Sequence, residues 1–147
     1  MMQQEPVVEA VYRKLGGNRV LGRDVASEAD LVKLILARIP LAALHAAQQG
    51  GFSEREIERF VIPSRTRRHR EARKEPLTVE ESDRLVRLTR IQALAEDVFG
   101  SSEKANRWLR QRLGILDGQA PLDLAQTEAG VRVVEQILGK IAWGAAA

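Results

Sequence analysis

Two short patterns constrain this chain most. Ser53-Glu54-Arg55-Glu56 and Thr78-Val79-Glu80-Glu81 each set a hydroxyl residue three positions before a glutamate, so that both side chains satisfy backbone amides at a helix start. Phe52 and Ile57 flank the first box as a hydrophobic staple, and Gly50-Gly51 before it should stop a helix beginning near Pro40. Ile57, Phe60 and Val61 then share one apolar face. Val61-Ile62-Pro63 reads as a turn because proline disfavours helical geometry in the residue before it, and Ser64 is placed to cap the helix that follows.

The same punctuation continues to the end of the chain. Leu85, Leu88, Ile91, Ala95, Val98 and Phe99 recur at helical spacing, and Gly100 supplies a left-handed stop. Ser101 or Ser102 caps a helix whose apolar face is Ala105, Trp108, Leu109 and Leu113. Asp117 to Pro121 forms a loop, Leu122 and Leu124 a short helical turn, and Thr127 caps a last helix carrying Val131, Val134, Leu138 and Ile141. Strand-type alternation of β-branched residues is nearly absent, so the expected fold is all-α. The expected division is a helical region over residues 1–75 containing a helix-turn-helix, followed by a compact helical domain over 76–147.

Length and composition narrow the chemistry. With 147 residues and 16.4 kDa, the chain is one compact domain or two small ones sharing a core. It has no cysteine, which excludes disulfides, thiolate metal sites and thiol catalysis, and fits a reducing compartment; the expected location is the cytoplasm. His45 and His69 are its only imidazoles, too few for a multi-histidine metal centre. His45, following Leu41 and Leu44, is expected to be a partly buried structural residue, and His69 a polar surface residue. Met1 to Tyr12 holds no apolar run of secretory length, and Leu31 to Ala47 is interrupted by Lys33, Arg38, Pro40 and His45, so neither an export signal nor a membrane span is expected.

No catalytic constellation emerges. Gly17 to Asp24 has the glycine spacing of a phosphate loop but lacks its lysine and hydroxyl, and Asp24 would repel a phosphate. The nucleophile-elbow, zinc-protease and dinucleotide fingerprints are missing. The chain reads as a non-enzyme without a cofactor.

The net charge is only +3, yet it is concentrated. Between Ser64 and Glu75, Arg65, Arg67, Arg68, Arg70, Arg73 and Lys74 face only Glu71 and Glu75, whereas the segments on either side are close to neutral. A basic block on an otherwise neutral molecule suggests a local polyanion contact. Three of these arginines fall in the first turns of their helix, where the dipole disfavours cations. In helix-turn-helix proteins the start of the second helix meets base edges, and arginine is the usual bidentate reader of guanine. Arg65, Arg67 and Arg68 are therefore candidates for such a contact; the competing reading is a solvated charged helix or linker.

The C-terminal half also carries a pattern: Glu81-Ser82-x-Arg84-Leu85, Ala95-x-x-Val98-Phe99-Gly100, Lys104-Ala105-x-x-Trp108-Leu109, Leu116-x-Gly118-x-x-Pro121-Leu122, Thr127-x-x-Gly130 and Leu138-x-x-Ile141-x-x-Gly144. In this order it resembles the toxin-binding domain of Xre/ParS/MbcA-type antitoxins, the partners of RES-domain toxins. Gly16-Gly17, Ser27-x-x-Asp30-Leu31, Pro40 and Arg65-Thr66-x-x-Arg68 resemble that family's Xre-like helix-turn-helix region, with one departure: Ile39 stands where glycine is expected before the proline.

The resemblance implies a bacterial type II antitoxin that binds a RES toxin, an NAD-consuming or ADP-ribosyl-transferring enzyme, and covers its active site. It further implies a homodimer within a hetero-oligomeric complex and autorepression through operator DNA. Carried over by position, the toxin-facing candidates are Arg132, Lys140, Trp143 and Gly144, and the operator-facing candidates are Arg65, Arg67, Arg68 and Arg70. Each has a plainer reading: Trp143 as core, Gly130 and Gly144 as packing or stop positions, Arg132 and Lys140 as ordinary surface; Trp108 is expected in the core. The alternative function is a stand-alone helix-turn-helix regulator whose C-terminal half only dimerises.

Overall fold

The computed structural model describes residues 5–146, and the first four residues of the segment read for an export signal lie outside that range. Among the described residues the regular structure is helical: α1 (Val7–Lys14), α2 (Gly17–Leu21), α3 (Glu28–Leu36), α4 (Ala42–Gln49), α5 (Glu54–Phe60), α6 (Ser64–Arg73), α7 (Val79–Phe99), α8 (Ser102–Leu109) and α9 (Glu128–Ala146), with 3-10 segments at Gly114–Leu116 and Pro121–Gln126. No helix among these residues is long and apolar enough to cross a membrane.

The expected caps are present. Ser53 Oγ accepts the Glu56 amide at 3.1 Å while the Glu56 carboxylate accepts the Ser53 amide at 2.9 Å. The Thr78–Glu81 box closes the same way at 3.1 and 2.8 Å. Ser101 rather than Ser102 caps α8, accepting from the Lys104 amide, and Thr127 Oγ1 accepts from the Gly130 amide at 3.0 Å. Gly100 takes a left-handed φ of 68° after α7.

Helix α7 is the organising element, because α1, α3, α5, α8, α9 and the second 3-10 segment all pack on it. Its apolar residues Leu85, Leu88, Ile91 and Ala95 lie in one buried cluster with Leu44, Phe52 and Ile57 from the N-terminal half and Val131, Val134 and Leu138 from α9. Both halves thus share a core, and Trp108 packs partly buried against it, its ring 5.5 Å from that of Phe99.

Polar side chains on α7 add directional ties to this burial. Ser82 Oγ accepts the Ile39 amide at 2.9 Å, Gln92 Nε2 donates to the Gly50 carbonyl at 2.9 Å, and Arg84 donates through Nη2 to the Val61 carbonyl at 2.9 Å. The first satisfies a buried amide that would otherwise cost about 1–3 kcal/mol, and the other two reach part-buried carbonyls.

The Ile39 departure has a physical account. The left-handed residue of this turn is Arg38, at φ 68°, while Ile39 is fully buried and its carbonyl accepts the Leu77 amide at 2.9 Å. Arg38 is held in place by donating from Nε to the Leu77 carbonyl at 2.8 Å. A core side chain therefore stands where the family pattern expects glycine, and the left-handed residue of the turn is Arg38.

At Gly130 the need for glycine is steric. A β-carbon there would sit 1.9 Å from the Leu124 carbonyl oxygen, so α9 and the 3-10 segment approach too closely for any other residue. Gly51 is tight as well, with φ 122° and Asn106 Nδ2 3.0 Å from where its β-carbon would lie.

Candidate functional site

Helix α5, the three-residue turn Val61–Pro63 and helix α6 form the expected helix-turn-helix. One local expectation is corrected: Ser64 does not cap α6. Pro63 occupies the cap position, its carbonyl accepting the Arg67 amide at 2.9 Å, and Ser64 is the first helical residue. Proline's φ of −59° suits the edge of a helix, and no side chain caps the amides of the first turn.

No residue of α6 is buried, and its inner face is seated by arginines. Arg67, with 19% of its side chain exposed, donates from Nη1 to Gln48 Oε1 of α4 at 3.0 Å and pairs with Glu71 at 3.3 Å. Arg70, 16% exposed, pairs with the buried carboxylate of Glu81 at the start of α7. Burial pushes the Glu81 carboxyl pKa upward, but hydrogen bonds from Arg70 and the Thr78 amide outweigh it and hold the group below its ordinary value.

Three-residue spacing sorts the basic block into two stripes. Arg65 and Arg68, with His69 beside them, are exposed on the outer side, while Arg67 and Arg70 turn inward. Unpaired among the described residues, these two offer guanidinium forks near the start of α6, suited to base edges or phosphates. His45 is exposed on α4, which corrects the expectation of partial burial; its neighbours Ala43 and Leu44 take the inward positions instead.

The other candidate surface is α9. Val131, Val134 and Leu138 face the core, and Arg132, Lys140, Trp143 and Gly144 are all exposed. At 100° per residue these four fall within an arc of about 120°, and Arg132 and Trp143 are about 16 Å apart along the axis. Trp143 is 79% exposed, which removes the core alternative within this chain. Among the described residues Arg132 is tethered only by an exposed pair with Glu128 at 3.2 Å. A β-carbon at Gly144 would meet nothing within 4 Å, so this chain's own packing does not demand glycine there.

Two family models match, and they divide the chain: the antitoxin Xre-like helix-turn-helix domain over residues 30–90, and the antitoxin Xre/MbcA/ParS C-terminal toxin-binding domain over residues 94–144. The Prs ADP-ribosylating antitoxin of Sphingobium sp. is 31% identical over 148 residues, covering 93% of this chain and 86% of that protein. The chain belongs to the Xre/MbcA/ParS antitoxin family. Antitoxin Xre of Pseudomonas putida is 45% identical over 84 residues, but the match covers only 53% of that protein, so the chain spans about half of its length. Antitoxin Xre of Photorhabdus laumondii is 27% identical over 129 residues, 86% of this chain and 87% of that protein. In this Xre/MbcA/ParS member, α5 and α6 fall inside the helix-turn-helix match, and the exposed face of α9 through Gly144 falls inside the toxin-binding match.

Sequence reasoning did not find the inward pairings Arg67–Gln48 and Arg70–Glu81. The only local signal was the capping-box glutamate at 81, whose second partner lies eleven residues earlier on another helix.

Proposed function

We propose that this chain neutralises a RES-domain toxin, an enzyme that consumes NAD or transfers its ADP-ribosyl part, by laying the outer face of α9 over the entrance to the toxin's active site. Trp143 carries the reading. A tryptophan left 79% exposed on a regular helix places a large apolar ring in water unless a partner covers it, and tryptophan is enriched where binding energy concentrates. Arg132, Lys140 and Gly144 share its face. The match of residues 94–144 to a toxin-binding domain supports the assignment, as does the ADP-ribosylation in the name of the Sphingobium relative. The chemistry belongs to the toxin; this chain blocks it.

The second part of the proposal is autorepression. Arg65 and Arg68 meet operator DNA from the outer side of α6, while Arg67 and Arg70 hold that helix in its seat. A homodimer within the toxin complex would present two such helices to paired half-sites. Residues 1–75 then serve DNA and residues 76–147 serve the toxin.

Co-expression with the protein encoded beside this chain tests the reading. Purification through a tag on this chain is expected to yield a complex that leaves NAD intact until the partner is released. If no partner co-purifies and the chain alone shifts its promoter DNA, the reading becomes that of a stand-alone regulator and α9 loses its assigned role.

A further inference from the structure

A second basic site lies beside α5, and its arginines come from both halves of the chain. Arg55 and Arg59 on α5 and Arg112 in the segment after α8 line one hollow of about 330 Å³, floored by Phe60 and Leu122. Two carboxylates also reach it, and both are already occupied. Glu56 accepts from the Ser53 amide and from Arg110 Nε and Nη2. Asp123 accepts the Ala120 amide on Oδ2 at 3.0 Å and pairs through Oδ1 with Arg59 Nη1 at 2.8 Å. Arg55 and Arg112 are exposed and make no side-chain hydrogen bond or ion pair among the described residues. The hollow therefore keeps two uncommitted guanidiniums beside carboxylates that are already neutralised, over a partly apolar floor. That is the composition of an anion seat.

We propose that this hollow seats a backbone phosphate of the DNA that flanks the bases met by α6, so that Arg112, from the toxin-binding half, contributes to DNA affinity. The inference rests on the DNA-binding part of the function proposed above. Its occupant is argued from position. Arg55 and Arg59 sit on α5, and the first helix of a helix-turn-helix crosses the nucleic-acid backbone while the second enters the groove. A contact of this kind carries no sequence information but raises affinity and salt dependence.

The test uses the full chain with its own promoter duplex and an unrelated duplex of equal length, titrated over a range of salt. R112A and R55A are each expected to lower the slope of log affinity against log salt by about one unit, equally on both duplexes, with R112K keeping the wild-type slope. Melting temperatures should not move, since neither arginine bonds to the rest of the chain. R65A/R68A serves as the reference: it should erode the preference for the promoter, which the hollow variants leave intact. If R65A/R68A weakens binding while R55A and R112A leave the slope unchanged, the hollow is not a DNA contact although the DNA reading stands. Loss of toxin capture by R112A with unchanged DNA binding would assign the hollow to a protein partner and overturn the proposal. A wild-type chain that binds neither duplex removes both readings.

Discussion

Both carboxylate oxygens of Glu56 receive the guanidinium of Arg110, from Nε and Nη2 at 2.8 Å each, across 54 positions of chain. The same carboxylate closes the capping box at the start of α5, so one side chain begins the helix-turn-helix and fastens it to α8. Arg110 adds bonds to the Gly51 carbonyl at 3.0 Å and the Asn106 carbonyl at 2.9 Å, and lies 5.8 Å from the centre of the Phe52 ring. Replacing Arg110 by alanine should destabilise the fold by about 1–3 kcal/mol, since it leaves a half-buried carboxylate without its two charge-assisted bonds. Arg110→Lys should recover little, because an ammonium lacks the two-pronged geometry. Urea unfolding of the three proteins, with the slope held constant, measures both effects.

Acid should weaken the contacts that hold α5 and α6 in place. Glu56 and Glu81 are both pushed up by burial yet end below their ordinary value of 4.5, because guanidinium and amide hydrogen bonds favour the charged form. A depressed carboxyl stabilises the fold above its unfolded value. That contribution should fade as the pH falls through about 4.5 towards the lower folded values. Thermal melts from about pH 7 to about pH 3 should show this loss, and Glu81→Gln should flatten the profile. A melting temperature independent of pH across that window would contradict the account.

The two stripes of α6 should behave oppositely. Arg68→Ala should leave stability within about 0.5 kcal/mol, as exposed substitutions usually do, and reduce promoter binding by about 1–3 kcal/mol if the side chain reads a base. Arg70→Ala should destabilise by about 1–3 kcal/mol, because Glu81 is left buried without its cation and α6 has no buried side chain to keep it docked. Paired melting and DNA-binding measurements separate the two. Equal effects on both readouts would mean the stripes are not distinct.

Gly130→Ala should be disproportionately harmful for so small a change. Alanine normally favours a helix over glycine by about 1 kcal/mol. Here its methyl would overlap the Leu124 carbonyl, at 1.9 Å, and the start of α9 must move to relieve it. A net loss of about 1–3 kcal/mol is expected by denaturant titration. Gly144→Ala, with open space around it, serves as the control and should keep or raise stability.

Trp143→Ala should not lower the melting temperature, since the ring is exposed, but should weaken toxin capture by 2 kcal/mol or more, about the threshold of a hot spot. Deleting residues 140–147 should likewise weaken neutralisation while leaving the fold largely intact. Full neutralisation by the truncated chain would take the tail out of the mechanism.

What could be read from the chain alone was whatever depends on neighbours a few residues apart. Both capping boxes, the Val61–Pro63 turn, the left-handed stop at Gly100 and the inward stripe of α9 rest on contacts over three or four positions, and each appears in the structure. The basic block at 64–75 was legible for the same reason. Its division into outward Arg65 and Arg68 and inward Arg67 and Arg70 was not, because α6 has no apolar stripe to reveal which side faces the protein. That choice depends on Gln48 and Glu81, which belong to other helices and come within reach only when α4 and α7 pack. The second role of Glu56, the closeness of Leu124 to Gly130 and the meeting of Arg55, Arg59 and Arg112 share this origin. Sequence determined the helices and their ends through short-range hydrogen bonds and apolar periodicity. Only the docking of both halves on α7 decided which polar groups are consumed within the chain and which remain free to bind.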